Sequence, residues 1–230
     1  MKVYGLQKLT LLDFPEHTAA TVFTGGCNLR CPFCHNAPLV TGLQDFECYE
    51  EDYVLEFLKK RRGILDGLAI TGGEPLLQPD IRQFIERVRE LGFAIKLDTN
   101  GCFPEKLKEL AGAGILDYVA VDVKNSREKY PMTVGREDVD VEKIEESVSF
   151  LLSGSVPFEF RTTVVKELHE VRDIGKIGQW IQGAGRYFLQ NFVDSGDLIG
   201  TGFHPHDKAI LNEMLAEAKR YVPGAELRGV

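Results

Sequence analysis

The chain of 230 residues lacks the features that direct a protein to a membrane or to nucleic acid. It has no apolar run near eighteen residues, and its start, MKVYGLQKLTLLDFPE, lacks the charged-then-apolar order of a signal peptide. It also lacks a basic excess, because 35 acidic residues outnumber 27 Lys and Arg residues and give a net charge of -8. We therefore expect a cytoplasmic protein that binds neither nucleic acid nor a membrane.

Cysteine is also scarce, and its distribution excludes a disulfide framework. Of the five cysteines, Cys48 and Cys102 stand apart, whereas Cys27, Cys31 and Cys34 lie within eight residues. In a reducing compartment, clustered cysteines more often bind metal or carry out redox chemistry. The C-x3-C-x2-C spacing of CNLRCPFC therefore indicates a metal site, although no fourth cysteine stands nearby to close a tetrahedron.

Apolar, β-branched runs alternate with stretches of helical period, which is typical of β-α-β crossovers and a parallel sheet. Six strand-like runs lie at 18–23, 68–71, 93–99, 118–123, 158–165 and 186–192. Helical spacing of apolar residues follows these runs, with Asp140 and Asp207 as candidate N-caps. Six units are too few for a closed eight-stranded barrel. We predict one α/β domain over 1–230, an open, partial (β/α)6 barrel of parallel strands with its site at their carboxyl edge.

Three interpretations of the cysteine cluster compete. A structural zinc site normally takes four Cys or His ligands, and His35 is the only nearby candidate for the fourth. A thioredoxin-type redox pair would use Cys31 and Cys34 and leave Cys27 unexplained. A four-iron cluster held by three thiolates would leave one iron free for another ligand. The third interpretation accounts for all three cysteines and for the missing fourth.

The stretch CNLRCPFC, with an aromatic residue before its last cysteine, resembles the signature of the radical S-adenosylmethionine superfamily. The resemblance implies that Cys27, Cys31 and Cys34 hold a [4Fe-4S] cluster whose open iron is chelated by S-adenosyl-L-methionine. An electron from the reduced cluster would cleave the sulfonium to methionine and a 5′-deoxyadenosyl radical, which abstracts hydrogen. The backbone of Phe33, Cys34 and His35 would run beside the adenine.

Loops after the later strands resemble the same superfamily. The TGGEP loop matches its second hallmark, a GGE-type loop at the methionyl amino group, in which glycines allow close backbone approach. LDTNG and VDVK resemble the Asp loop and the D-x-K of the glycyl-radical-activating branch. Alternate strand residues share a face, so Lys124 can pair with the ligand carboxylate while Asp98 and Asp122 neutralise the sulfonium or hold a monovalent cation. The expected cofactor contacts are Phe33, Cys34, His35, Thr71, Gly72, Gly73, Glu74, Asp98, Asn100, Asp122, Lys124, Arg161, Gln190 and Asn191.

The opening GLQKLTLLDFP resembles that of anaerobic ribonucleoside-triphosphate reductase activating proteins. This resemblance implies an activase that removes hydrogen from a glycine of a partner glycyl-radical enzyme, with flavodoxin or ferredoxin as electron donor. No cysteine-rich insert or tail is present for auxiliary clusters. The alternative is a radical enzyme of the deazaguanine-synthase type that acts on a small molecule. A zinc-bound interaction module is a third hypothesis.

Overall fold

The computed structural model describes residues 1–45 and 47–229 and shows strands that alternate with helices. The strands are β1 (Lys2–Val3), β2 (Gly5–Thr10), β3 (Ala19–Thr24), β4 (Tyr49–Glu50), β5 (Gly67–Gly72), β6 (Ala94–Thr99), β7 (Tyr118–Asp122), β8 (Phe158–Val164), β9 (Tyr187–Asn191) and β10 (Ala225–Arg228). The α-helices are α1 (Ala37–Thr41), α2 (Glu51–Lys59), α3 (Ile81–Glu90), α4 (Pro104–Gly112), α5 (Tyr130–Val134), α6 (Val141–Leu152), α7 (Val171–Trp180) and α8 (Lys208–Lys219).

The main sheet has eight strands in the order β10-β9-β8-β7-β6-β5-β3-β2. Every neighbouring pair from β3 to β10 is parallel, and β2 runs antiparallel to β3. The six predicted strands are β3 and β5 to β9, so the predicted α/β fold with an open, partial barrel is confirmed. The structure also contains strands that were not predicted. They are the edge strands β2 and β10 and the small antiparallel pair of β1 with β4.

The helices pack their apolar stripes on the sheet. In α3 the buried residues are Ile81, Phe84, Ile85 and Val88, which share one helical face. Burying each such side chain stabilises the fold by about 1.5–3 kcal/mol. The predicted N-caps are also confirmed, because Asp140 and Asp207 accept hydrogen bonds from the first turns of α6 and α8.

The pairing register of the parallel strands places their carboxyl ends at one edge of the sheet. Thr24 pairs with Gly72 across β3 and β5, and Asp122 pairs with Arg161 across β7 and β8. The loops that carry the candidate residues therefore meet at the carboxyl ends of the parallel strands. Within the described residues, none of the helices is both long enough and apolar enough to cross a bilayer.

Candidate active site

The cysteine loop joins β3 to α1 and is held by backbone contacts from several sides. The Gly26 N–H donates to the Leu39 carbonyl at 2.8 Å, and the Arg30 N–H donates to the Val134 carbonyl at 2.9 Å. The Arg30 guanidinium turns back and donates to the carbonyl of Cys27 at 2.6 Å. The loop is therefore shaped by its own backbone and by the segment at the end of α5.

Cys27, Cys31 and Cys34 all border one cavity of about 410 Å3 at the carboxyl edge of the sheet. Burial raises the pKa of each thiol, and it raises that of Cys31 to about 12. The backbone N–H of Leu29 lies 3.4 Å from the Cys27 sulfur. Cys48 and Cys102 are not among the residues that line this cavity.

These thiols fit an iron–sulfur cluster. A buried thiol ionises at neutral pH only next to strong positive charge, which bound iron supplies. A cluster takes one thiolate on each of several irons, so its ligands surround a cavity instead of converging on one atom. In the part of the chain that the structure describes, no group of three His, Cys, Asp or Glu side chains is placed to hold a single metal ion.

The loop after β5 packs directly on the cysteine loop. Gly72 has a φ of +115°, and a Cβ there would lie 2.4 Å from backbone atoms of Thr24. A Cβ on Gly73 would lie 2.0 Å from the carbonyl oxygen of Gly26, whereas the Asn36 amide donates to the Gly72 carbonyl at 2.8 Å. The two glycines are therefore required by contact between two loops of the protein itself, in addition to any ligand approach.

Glu74 was expected to contact the ligand directly, and it is not among the residues that line the cavity. Its side chain is buried and accepts hydrogen bonds from the Thr99 hydroxyl at 2.7 Å, the Asn100 N–H at 2.7 Å and the Leu76 N–H at 3.0 Å. Burial raises the pKa of Glu74 to about 7, and these three donors oppose the rise. The carboxyl thus joins the loops after β5 and β6 from behind the site.

A row of alternating charges crosses β6, β7 and β8 beside the thiols. Asp98 accepts from Lys96 at 2.5 Å and from Arg161 at 3.0 Å. Asp122 accepts from Arg161 at 2.9 Å and from Lys124 at 3.1 Å. Four of these five residues line the cavity, the exception being Lys96. We call Lys96, Asp98, Arg161, Asp122 and Lys124 the charge row.

The charge row keeps Asp98, Asp122 and Lys124 ionised. Burial alone would raise the pKa of Asp98 and Asp122, but the neighbouring cations hold both below their usual range. Burial alone would lower the pKa of Lys124, yet attraction to the Asp122 carboxylate raises it. Permanent charge at Lys124 therefore faces the cavity that the three thiols border.

Most of the remaining predicted residues line the cavity. Phe33, His35, Thr71, Asn100 and Gln190 line the cavity. The Asn100 amide donates to Asn28 at 2.8 Å and lies 3.7 Å from the Cys27 sulfur. The Asn100 side chain therefore supports a cysteine from the neighbouring loop.

Asn191 was also expected to contact the ligand, and it is not among the residues that line the cavity. Its amide exchanges two hydrogen bonds with the backbone of His206, each 3.0 Å long. Next to it, Phe192 stacks on the His35 ring with centroids 5.7 Å apart. His204 pairs with Glu167 on the surface.

Sequence reasoning missed part of the cavity wall. Gln7, Asp13, Thr21, Phe23 and Thr163 line it, and the Thr21 hydroxyl donates to Asp13 at 2.7 Å. Thr21 and Phe23 could have been predicted from alternation along β3, because alternate residues of a strand share one face of the sheet. Gln7 and Asp13 depend on the antiparallel edge strand β2, which was not predicted.

The sequence model of the Radical SAM superfamily matches residues 21–174, about two thirds of the chain. The chain belongs to this superfamily. It is therefore a radical SAM enzyme, and membership implies a [4Fe-4S] cluster and S-adenosylmethionine, for which Cys27, Cys31 and Cys34 are present. This family match agrees with the motif of three cysteines and with the cavity that the motif borders.

Two relatives differ in how much of the chain they cover. A protein of Methanocaldococcus jannaschii, provisionally named a glycyl-radical enzyme activating enzyme, is 32% identical over 99% of this chain and 96% of its own. The 7-carboxy-7-deazaguanine synthase of Methanopyrus kandleri is 36% identical over 48% of this chain and 51% of its own. The first similarity extends over the full length, whereas the second is partial.

Solved structures share the fold at low identity. A domain of the pyruvate-formate lyase-activating enzyme from Bacteroides vulgatus superposes with a TM-score of 0.59 and 16% identity, over 71% of this chain and 99% of that one. Streptococcus suis SuiB bound to precursor peptide SuiA gives a TM-score of 0.72 and 15% identity, over 91% of this chain and 48% of that one. At such identities the likeness concerns the fold alone.

Proposed function

We propose that this chain is a glycyl-radical enzyme activase, and that its partner is an anaerobic ribonucleoside-triphosphate reductase. The single observation that carries the activase proposal is full-length similarity to the M. jannaschii relative, 32% identical over 99% of this chain. The named role of that relative is activation of glycyl-radical enzymes. The choice of reductase rests on the opening GLQKLTLLDFP.

The protein's own residues would prepare the site in three ways. Cys27, Cys31 and Cys34 would hold a [4Fe-4S] cluster, and the Asn100 amide near the Cys27 sulfur would stabilise its negative charge. Lys124 and Arg161 would offer charge-assisted hydrogen bonds to the carboxylate of S-adenosylmethionine. When bound, the cluster and S-adenosylmethionine supply reductive cleavage of the sulfonium and a 5′-deoxyadenosyl radical that removes hydrogen from the target glycine.

Other cavity residues would bind the rest of the ligand. The backbone of Phe33, Cys34 and His35 would lie beside the adenine, and the loop Thr71–Gly73 would approach the amino group. Gln190 would contact the ligand from β9, whereas Glu74 and Asn191 would act by holding loops, because neither lines the cavity.

Access for a protein substrate is consistent with the open sheet. Among residues 1–45 and 47–229, the edge strands β2 and β10 pair with one neighbour each, and they do not pair with one another to close a barrel. A glycine-bearing loop could reach the cavity through this gap. We further propose that the enzyme works in the cytoplasm with flavodoxin or ferredoxin as electron donor.

A second candidate function is supported by the partial match to the deazaguanine synthase, 36% identical over 48% of this chain. Under this alternative the substrate would be a small molecule instead of a protein. The full-length relative favours the activase.

The test is made with protein reconstituted anaerobically with iron and sulfide. After reduction, we expect 5′-deoxyadenosine and methionine from S-adenosylmethionine. With the reductase of the same cell, we expect a doublet at the glycine in electron paramagnetic resonance. Ready cleavage with no glycyl radical on any partner from that cell, combined with turnover of a small metabolite, would establish the alternative.

The test variant is Lys124→Ala, and the control variant is Lys59→Ala. Lys124→Ala should lower both cleavage and radical yield, because the ligand carboxylate loses a charged partner. Lys59 pairs with Glu56 on the exposed face of α2, so Lys59→Ala should change neither.

A further inference from the structure

Lys96 lies in the middle of β6 with only 1% of its side chain exposed. Lysine is almost never buried to this extent unless it is paired. Its ammonium lies 2.5 Å from one carboxylate oxygen of Asp98, two residues further along the strand and on the same face. Lys96 does not line the cavity, whereas its partner Asp98 does.

The two aspartates of the charge row have no free carboxylate oxygen. In Asp98, one oxygen accepts from Lys96 and the other from Arg161. In Asp122, one oxygen accepts from Arg161 and the other from Lys124. All four oxygens therefore already have a cationic hydrogen-bond donor from the protein.

The balance of charge depends on Lys96. Three cations face two carboxylates in the charge row, and the nearby Glu159 carboxylate, 4.0 Å from Arg161, is paired with Arg228. One positive charge is therefore left for the carboxylate of a ligand. Without Lys96, one oxygen of the buried Asp98 would lose its partner, and leaving a buried charge unpaired is strongly destabilising. A small cation from solvent could then replace the ammonium.

We propose that the Lys96 ammonium takes the place of a monovalent metal cation beside Asp98, so that the S-adenosylmethionine site is complete without an alkali ion. Lys96 is thus a positioning residue that holds Asp98 and, through it, Arg161. The inference rests on the proposed function only where S-adenosylmethionine binding is concerned, because the ion pairs belong to the protein itself.

The first test measures the melting temperature of the iron-free protein in sodium, potassium or tetramethylammonium chloride at equal ionic strength. Wild type should melt at the same temperature in all three. Lys96→Ala removes the ammonium and leaves space, so Na⁺ or K⁺ should raise its melting temperature by about 3 °C over tetramethylammonium, with saturation. Lys96→Met fills the space without charge and should show no such recovery.

Two controls separate replacement of a cation from general salt effects. Lys96→Ala combined with Asp98→Asn removes both charges, so its cation selectivity should disappear. Lys59→Ala changes an exposed lysine and should behave as wild type. If Lys96→Ala folds only after Na⁺ or K⁺ is added, the proposal is supported.

The second test measures S-adenosylmethionine binding by reconstituted protein under the same salts. Wild type should bind equally in all three, whereas Lys96→Ala should bind at least tenfold more weakly in tetramethylammonium and recover with Na⁺ or K⁺. A saturable alkali-ion requirement in wild type would overturn the proposal. So would a Lys96→Ala protein that is equally destabilised, or equally unfolded, in every salt. Absence of S-adenosylmethionine binding by wild type would count against the proposed function and leave the melting test valid.

Discussion

Gly73 determines how closely the loop after β5 packs on the cysteine loop, and Gly73→Ala tests this contact. The new Cβ would lie 2.0 Å from the carbonyl oxygen and 2.7 Å from the carbonyl carbon of Gly26. Both are backbone atoms, so no side-chain rotation can relieve the overlap. The loops would therefore have to separate. Two hydrogen bonds beside the contact would then lengthen: the Glu74 N–H now donates to the Gly26 carbonyl at 2.8 Å, and the Gly73 N–H donates to the Thr24 carbonyl at 2.9 Å.

The magnitude follows from these terms. Overpacking costs about 1–3 kcal/mol. Weakening each hydrogen bond costs up to about 1 kcal/mol. Alanine also restricts the unfolded chain more than glycine does, which offsets about 0.5 kcal/mol of this loss. We therefore expect Gly73→Ala to lower the free energy of unfolding by about 3 kcal/mol. For a chain of this size, that corresponds to a fall in melting temperature of about 9 °C.

The assay is thermal unfolding of the iron-free protein under reducing, anaerobic conditions, followed by iron analysis after reconstitution. Gly112 is the matched control, because a Cβ at this last residue of α4 meets no atom within 4 Å. Gly112→Ala should leave the melting temperature unchanged or raise it slightly, since alanine favours helix. A Gly73→Ala protein that melts within about 1 °C of wild type and binds full iron would refute the packing argument.

Three further predictions concern other positions. Glu16 has a φ of +64°, which strains a residue other than glycine, so Glu16→Gly should raise the free energy of unfolding by about 1 kcal/mol in urea titrations. Burial lowers the pKa of His169, so the unfolded chain takes up this proton first and stability should fall as pH drops below about 6.5. His169→Gln should flatten this fall, and an unchanged slope would contradict the assignment. Cys31→Ala should abolish cluster absorbance and bound iron, whereas Cys48→Ala should retain both; equal loss in the two variants would indicate a fourth ligand.

The strands that carry the site were predictable because each is a β-branched, apolar run that is buried in a parallel sheet. Strands β2 and β10 were not, because they lie at the sheet edges and bury few residues. In β2, three of six positions are exposed, so its pattern does not alternate cleanly. The antiparallel edge, and the cavity residues that depend on it, therefore required the structure.

Side-chain direction at the loops was predictable only in part. Alternation correctly brought Asp122 and Lys124 together, because strand-like pairing continues just past β7, where the Val123 N–H donates to the Arg161 carbonyl. No such period applies in the loop after β5, where Glu74 turns away from the cavity and accepts three hydrogen bonds. Lys96 was overlooked for a different reason, because a lysine inside a strand is usually an exposed residue and only the ion pair with Asp98 explains its burial.

Three loops of the candidate site are joined in a closed ring of polar contacts. Asn36 of the cysteine loop binds the Gly72 carbonyl, Glu74 of the next loop binds the N–H of Asn100, and the Asn100 amide returns to Asn28 of the cysteine loop. Contacts that share partners are energetically coupled, so loosening one loop should loosen the others. The cysteines and the ligand-facing loops should therefore order together, and a change behind the cavity at Glu74 should lower iron binding although Glu74 touches no thiol.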